Sequence, residues 1–359
     1  MSKPGFDQDQ RIYHNLSTLL YLMVMVMVLL AFLVYQLFND SEELLPLGIS
    51  ASLTSGHVDL PDEKTKYDAK TTVFWVAPDL ESIKSSALYP LVEYGKELIT
   101  HTSRYLGPNG QVARISNGMN CQNCHLDAGT KIYGNNYGSV YSTYPKFRAR
   151  SGSTEDIYKR VNDCFERSLN GKPLDTLSKE MQSIKAYLMF LSRDVQKGTT
   201  VKGSGLIALE NLTRPADPVM GRKVYTEKCM SCHMADGRGV KTQDGMEYSY
   251  PPLWGPASYN DAAGLYRISN FARYAKANMP LGATYDKPQL TDEEAWDVAA
   301  YVNSRPRPHK VTADWPDISK KPVDHPFGPY DDGFSETQHK FGPFDPITEK
   351  RKVSAKSKI

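Results

Sequence analysis

The sequence has few cysteines and almost no excess charge. Its 359 residues include 5 cysteines, and 43 basic side chains nearly balance 41 acidic ones, for a formal net charge of +2. So few cysteines exclude a small secreted module held together by disulfides. So small a charge gives no reason to expect nucleic acid as a partner. We find no convincing run of alternating apolar and polar residues either, so an all-α fold is expected.

Four of the five cysteines belong to two copies of one short motif. The motif Cys-x-x-Cys-His occurs at Cys121, Cys124 and His125, and again at Cys229, Cys232 and His233. This spacing is typical of c-type haem attachment, in which both thiols bind the haem and the histidine binds iron. A zinc site is the alternative, but a histidine directly follows each pair and the pairs lie far apart. We therefore expect two covalently attached haem c groups, each with its iron.

The signals around each motif follow the order of a small cytochrome c: a helix, the haem motif, an irregular stretch and a closing helix. In the second copy, Asp217 and Pro218 begin a helix that leads into the motif, and Thr291 and Glu294 form a capping box before the closing helix. In the first copy, helices are predicted at Leu91–Thr102, Thr154–Leu169 and Lys179–Asp194, and Ser153 is the expected N-cap of the second of them. The sequence thus predicts two cytochrome c-like haem domains in tandem, as a distant internal repeat.

The predicted boundaries follow from these signals. They are 71–197 for domain 1, with the catalytic haem; 198–217 for a linker; 218–305 for domain 2, with the electron-transfer haem; and 306–359 for a tail. The tail is rich in proline and aromatic residues, so we expect an extended, irregular segment that wraps over both domains and ends in a loose basic terminus. A separate docking element for a partner is the alternative.

The N-terminal segment is apolar. No Asp, Glu, Lys or Arg occurs from Ile12 to Asn39, and a helix over residues 16–38 would span about 35 Å, against roughly 30 Å of hydrocarbon. Lys3 and Arg11 precede the apolar run, which favours a cytoplasmic N-terminus. We therefore expect residues 1–39 to form a single-pass anchor in the cytoplasmic membrane, residues 40–70 a stalk, and both haem domains to be periplasmic. A buried core helix is the alternative.

Each haem iron has a sixth coordination position to assign. For the second haem we expect Met279, between His233 and the closing helix, since methionine opposite histidine raises the reduction potential and suits electron transfer. A core methionine is the alternative. For the first haem, Met181 lies among residues that look like core. The remaining cysteine, Cys164, is therefore the better candidate.

Cys164 lies one helical turn after Arg160 in the sequence, so the two side chains are expected on one helix face. The guanidinium would favour thiolate, a strong donor that stabilises ferric iron and makes a low-potential haem. A lone cysteine on a helix is also often a small core residue. Arg150 precedes the same helix, and two guanidinium groups could bind a small oxyanion by forked hydrogen bonds, although surface arginines are common.

The chain resembles the dihaem thiosulfate dehydrogenases from Trp75 to Leu191, and the likeness continues through domain 2 into the tail. The resemblance is carried by the segments Cys121–Thr130, Tyr144–Arg150, Asn162–Pro173, Glu180–Met181 and Pro326–Pro329. It implies that Cys164 is the distal haem ligand and catalytic thiol, and that Arg150 and Arg160 bind substrate. Family members often have a lysine before the second methionine ligand. Here Asn278 has that place, a departure that argues against a redox-driven ligand switch.

The resemblance also implies a reaction, the oxidative coupling of two thiosulfate ions to tetrathionate. Two electrons would leave through the haems to a redox partner, either a small cytochrome or a membrane oxidase or quinol-linked complex. Two alternatives remain open. The same site could run in reverse as a tetrathionate reductase, or the chain could be a non-catalytic, membrane-anchored dihaem electron carrier.

Overall fold

The computed structural model describes residues 18–32 and 65–356. These residues belong to two compact units, Met1–Asp62 and Glu63–Ile359. The described part of the first unit is one helix with exposed apolar side chains. The second unit contains both Cys-x-x-Cys-His motifs and the tail, and it is the part of the molecule in which a functional site can be described.

The prediction of a single-pass membrane protein is wrong. Among the residues that the structure describes, no helix is both long and apolar enough to cross a membrane. The other residues of the predicted anchor and stalk, 1–17 and 33–64, lie outside the described part of the chain.

Domain 1 is built on a close crossing of two helices. Its main elements are α1 (Tyr89–Thr100), β1 (Lys146–Arg148), β2 (Ser153–Glu155), α2 (Ile157–Arg167) and α3 (Lys179–Leu191). Helix α1 packs against α3 at Gly95, where a Cβ atom would come within 2.0 Å of the Ser183 carbonyl oxygen. Because glycine has no Cβ, the two backbones can approach this closely. Short helical turns at Thr102–Leu106, Cys121–Asn123, Leu126–Gly129 and Val140–Thr143 connect these elements.

Domain 2 repeats this crossing. Its main elements are α4 (Pro218–Lys228), β3 (Val240–Lys241), β4 (Tyr248–Tyr250), α5 (Ile268–Asn278) and α6 (Asp292–Asn303). Helix α4 packs against α6 at Gly221, where a Cβ atom would lie 1.8 Å from the Asp297 carbonyl oxygen. The predicted caps are confirmed: the Asp217 carboxylate accepts from the first turn of α4, and Thr291 and Glu294 form the capping box of α6.

The fold is all-α, as predicted, apart from two short antiparallel hairpins that pair β1 with β2 and β3 with β4. The first hairpin changes one predicted helix. Residues 153–155 pair with 146–148, so α2 begins at Ile157, and Asp156 rather than Ser153 is its N-cap. The cap signal at Ser153 was local, whereas the strand pairing that replaced it depends on a second segment.

The tail contacts both domains, and its last part is not extended. The Trp315 amide donates to the Arg150 carbonyl of domain 1, and the Ala216 amide of the linker donates to the Phe341 carbonyl. Helices then form at Glu336–Phe341 and at α7 (Asp345–Lys356). The prediction of a wholly extended tail with a loose basic terminus is therefore wrong. The reason is burial, since Phe344 and Ile347 are 3% and 0% exposed.

The two domains contact each other directly. Glu247, next to β3 and β4, is 5% exposed, and its carboxylate lies 3.0 Å from His101 Nδ1 and accepts from Asn120 Nδ2 at 3.3 Å. On another part of the interface, the Tyr274 hydroxyl of α5 donates to the Asn123 carbonyl at 3.0 Å. Domain 2 is therefore held directly against the segment that carries the first Cys-x-x-Cys-His motif.

Candidate haem centres and active site

The two motif histidines are oriented in the same way. His125 Nδ1 lies 2.6 Å from the Asn135 carbonyl oxygen, and His233 Nδ1 lies 2.8 Å from that of Pro251. Because a carbonyl only accepts, each Nδ1 carries the proton and Nε2 is left to bind a metal. Burial lowers the pKa of both imidazoles, to about 4 for His125, and so keeps them neutral, as metal binding requires. The sequence analysis did not find these carbonyl partners.

One cavity brings together the residues predicted for the second haem. Its volume is about 450 Å³, and Cys229, Cys232, His233 and Met279 all line it. Apolar side chains form much of the remaining wall, among them Leu265, Phe271, Leu290 and Val298. A c-type haem needs two thiols for covalent attachment and, for its iron, ligands such as an imidazole and a thioether. All four groups surround one apolar space here, so these residues fit the group.

The same cavity extends to domain 1. Asn123 and Cys124, from the first motif, also line it. The cavity predicted for the second haem therefore borders the attachment segment of the first.

The residues before Met279 are held away from the ligand position. The Lys276 ammonium donates to the Leu290 carbonyl at 2.6 Å and pairs with Asp292 at 2.7 Å. The Asn278 side chain, 1% exposed, donates to the Tyr133 carbonyl of domain 1 at 3.1 Å. Both side chains are therefore engaged with partners other than the ligand position.

Helix α2 brings Cys164 and Arg160 together. Arg160 Nη1 donates to Cys164 Sγ at 3.1 Å, so the shared face predicted from their spacing is observed. Electrostatic attraction to the Cys164 sulfur raises the pKa of Arg160 more than any other contact does. The guanidinium therefore remains charged. A charge-assisted hydrogen bond of this kind stabilises negative charge on the sulfur.

Cys164 also lies near the first attachment cysteines. Burial raises the pKa of Cys121 and of Cys124 to about 12, and the Cys164 sulfur adds to both shifts. The Cys164 thiol is thus within electrostatic reach of both attachment cysteines, as a residue that would help to hold the first haem must be. Met181, the other candidate, is 0% exposed in the core of domain 1.

Arg150 is placed at the same region by the turn between β1 and β2. Burial and repulsion from Arg167 and Arg160 together lower the pKa of Arg150 to about 10, while Asp314 opposes the shift. Asp314 and Asp163 both pair with Arg167, at 2.6 and 3.7 Å. Such a cluster of guanidinium groups suits a small, multiply charged anion.

The tail supplies the counter-charge of this cluster. Asp314 accepts from Arg167 through both carboxylate oxygens, at 2.6 and 2.9 Å, and lies 3.9 Å from Arg150 Nε. The Trp315 ring lies 5.8 Å from the Arg150 guanidinium. The sequence analysis missed Asp314, Arg167 and Trp315. Arg167 follows Cys164 by one helical turn and could have been found by that spacing, but nothing local connects the tail residues to the site.

The fold and the site together define a class. Two Cys-x-x-Cys-His motifs, two neutral buried imidazoles and the same helix crossing in both domains are the features of a dihaem c-type cytochrome, here with a cluster of arginines beside the first haem position. Models of protein families agree. The Cytochrome c model matches residues 219–306, and the model described as SoxA/TsdA, cytochrome c domain, matches residues 111–196.

Known proteins narrow the class to one family. The chain is 37% identical over 241 residues to a thiosulfate dehydrogenase of Psychrobacter arcticus. The matched region covers 67% of this chain and 71% of that protein. It is 39% identical over 233 residues to a thiosulfate dehydrogenase of Allochromatium vinosum, over 63% of this chain and 84% of that protein. A solved thiosulfate dehydrogenase (TsdBA) from Marichromatium purpuratum is similar with a TM-score of 0.61 and 30% identity, over 66% of this chain. The chain spans 50% of that longer structure.

The chain therefore belongs to the thiosulfate dehydrogenase family. It is an oxidoreductase with two covalently attached haem c groups, so the predicted family, cofactors and enzyme class are confirmed.

Proposed function

We propose that the chain couples two thiosulfate ions to tetrathionate and passes two electrons to a small c-type cytochrome. The observation that carries this proposal is the contact between Arg160 and Cys164, 3.1 Å long, in a chain of this family. When bound, each haem supplies a one-electron acceptor, so two haems match the two electrons that are released.

The proposed roles of the haem-binding residues follow the two motifs. Cys121, Cys124, His125 and Cys164 would hold the first haem, and Cys229, Cys232, His233 and Met279 would hold the second. Domain 2 would deliver electrons to the partner. Leu281, which lines the cavity and is 73% exposed, offers an apolar edge for docking there.

Arg150 and Arg160 are proposed to bind the substrate. Thiosulfate is a dianion, and two guanidinium groups offset its charge through forked hydrogen bonds. Both groups are largely removed from water, and the low local dielectric strengthens their attraction for an anion. Asp314 keeps Arg167 occupied and so leaves Arg150 and Arg160 to face the substrate.

Cys164 is proposed as the nucleophile. Its thiolate sulfur forms a bond to the outer sulfur of a first thiosulfate with loss of two electrons, which gives a cysteinyl S–S–SO₃⁻ group. A second thiosulfate attacks the sulfur that came from the first, the bond to Cys164 breaks, and tetrathionate leaves, as in thiol–disulfide exchange. The thiolate is restored, and no proton is transferred. Arg160 stabilises the negative charge on sulfur at the start and at the end of this sequence.

The test is thiosulfate-dependent reduction of ferricyanide by the purified holoprotein and by Cys164→Ala. We expect activity in the parent and a loss of at least about a thousandfold in the variant, with both haems still attached by absorbance. Equal activity in the two proteins would rule out the proposed thiol. Assays with tetrathionate and a reduced dye would then measure the reverse direction in the same samples.

A further inference from the structure

Tyr144 has a buried hydroxyl group that lacks a hydrogen-bond partner among the described residues. The residue is 6% exposed, so water does not readily replace that partner. Buried polar groups in native proteins are nearly always paired, and an orphaned one calls for an explanation such as a ligand absent from the coordinates.

The location of this hydroxyl points to the kind of ligand. Burial raises the pKa of Tyr144, the nearby guanidinium groups of Arg160 and Arg148 lower it, and the Glu155 carboxylate and the Cys164 sulfur raise it. The phenol is thus within electrostatic reach of the groups proposed to bind and attack the substrate. The Glu155 carboxylate does not supply the missing partner, since Glu155 Oε2 also lacks a hydrogen-bond partner among the described residues. The two guanidinium groups favour an anion as the group that accepts from the hydroxyl.

The backbone fixes the position of the ring. Tyr144 follows the helical turn Val140–Thr143 and precedes β1, which leads to Arg150. Its carbonyl oxygen accepts from the Lys197 ammonium. The side chain is therefore held between two defined elements, and its hydroxyl does not need to be ordered when a ligand binds.

We propose that the Tyr144 hydroxyl donates a hydrogen bond to an oxygen of the –SO₃ group of a sulfur oxyanion bound at Arg160 and Cys164. This inference rests on the proposed function and adds a substrate-binding residue to it. Arg150 and Arg160 supply charge, whereas the Tyr144 phenol supplies a neutral, directional donor. A sulfonate group has three oxygens, so it can accept hydrogen bonds from Arg150, Arg160 and Tyr144 together. A haem carboxylate has the same acceptor chemistry, and the experiment separates the two.

The test compares Tyr144→Phe with the parent holoprotein. Thiosulfate binding is measured by calorimetry on the fully reduced protein, which has no oxidised acceptor and cannot turn over, and KM and kcat are measured with ferricyanide. We expect both the Kd and the KM for thiosulfate to rise about tenfold, because a hydrogen bond to a charged group is lost. The reduction potential of the first haem and the thermal stability should not fall.

Tyr187→Phe is the matched control. Tyr187 is a buried tyrosine of the same domain, 2% exposed, but its hydroxyl already donates to the Ala128 carbonyl at 3.0 Å. Its loss should lower the unfolding temperature and leave the Kd for thiosulfate unchanged, which is the opposite pattern to Tyr144→Phe.

Two results would overturn the inference while the proposed function stands. One is an active Tyr144→Phe variant whose Kd and KM lie within twofold of the parent. The other is a shifted potential of the first haem with unchanged thiosulfate binding, which would assign the hydroxyl to a haem carboxylate. A parent that neither binds nor oxidises thiosulfate would overturn the proposed function and this inference together.

Discussion

Domain 1 and domain 2 share a scaffold and differ in the segment that carries the proposed second iron ligand. In both, two helices cross at a glycine, Gly95 or Gly221, and a backbone carbonyl holds the Nδ1 proton of the motif histidine. In domain 2 this segment is a loop with Met279 and apolar neighbours. In domain 1 it is helix α2, with Cys164 and Arg160 in contact.

This difference distinguishes the structural features that bind a haem from those that would make it reactive toward a substrate. The crossing and the oriented imidazole occur in both domains, so they belong to haem binding. The thiol and the arginine cluster occur beside one site alone within the described residues, and the substrate chemistry we propose depends on them. A methionine wall suits electron transfer, whereas a thiolate with guanidinium groups suits an anionic substrate.

The largest expected effect comes from making domain 1 resemble domain 2. In Cys164→Met the thiol is lost, but the side chain can still bind iron. We expect turnover to fall by at least about a thousandfold, and the potential of the first haem to rise because thioether stabilises ferric iron less than thiolate does. Redox titration followed by absorbance measures the second effect. An unchanged potential would mean that Cys164 is not a ligand of that iron.

Whether both domains depend on the close helix crossing can be tested by adding a methyl group at the crossing glycine of each domain. In Gly95→Ala and Gly221→Ala the new Cβ would lie 2.0 and 1.8 Å from a carbonyl oxygen of the partner helix. We expect each to lower the free energy of unfolding by about 3 kcal/mol, the upper part of the usual cost of overpacking. Thermal unfolding of the holoprotein measures this. A loss in only one of the variants would show that the two crossings are not equivalent.

A smaller effect is expected from the carboxylate that holds the arginine cluster. Asp314→Asn weakens the forked contact to Arg167, so Arg167 competes for the substrate and Arg150 is less well placed. We expect the KM for thiosulfate to change by about tenfold, with both haems attached. Steady-state kinetics with ferricyanide measure the change.

Domain 2 offers the matched control for this variant. Asp297 forms a similar forked contact with Arg214, at 2.8 and 2.9 Å, far from the arginine cluster in the sequence. Asp297→Asn should reduce stability and leave the KM unchanged. If both variants change the KM alike, the effect of Asp314→Asn is a general loss of stability rather than a change at the site.

Local signals in the sequence predicted the parts of this comparison that depend on near neighbours. The haem motifs, the caps at Asp217 and Thr291, and the shared face of Arg160 and Cys164 all rest on spacings of a few residues, and the structure agrees with them. Helix geometry fixes such spacings, so they can be read without a fold.

The parts that were missed depend on distant segments. Asp314 lies 147 positions from Arg167 in the sequence, and Ser153 is in a strand because Arg148 pairs with it. Helix α7 forms because Ile347 is buried against the rest of the protein. From its composition alone, the same segment was predicted to be a loose basic terminus. Neither spacing nor composition reports such contacts.

The contact between Asp314 and Arg167 also has a consequence for biosynthesis. A ribosome that has completed both haem motifs has not yet made residue 314, so the nascent chain can carry every haem-attachment cysteine while its anion pocket lacks one wall. The anion site proposed in domain 1 is therefore complete only after residue 314 has been made and has paired with Arg167.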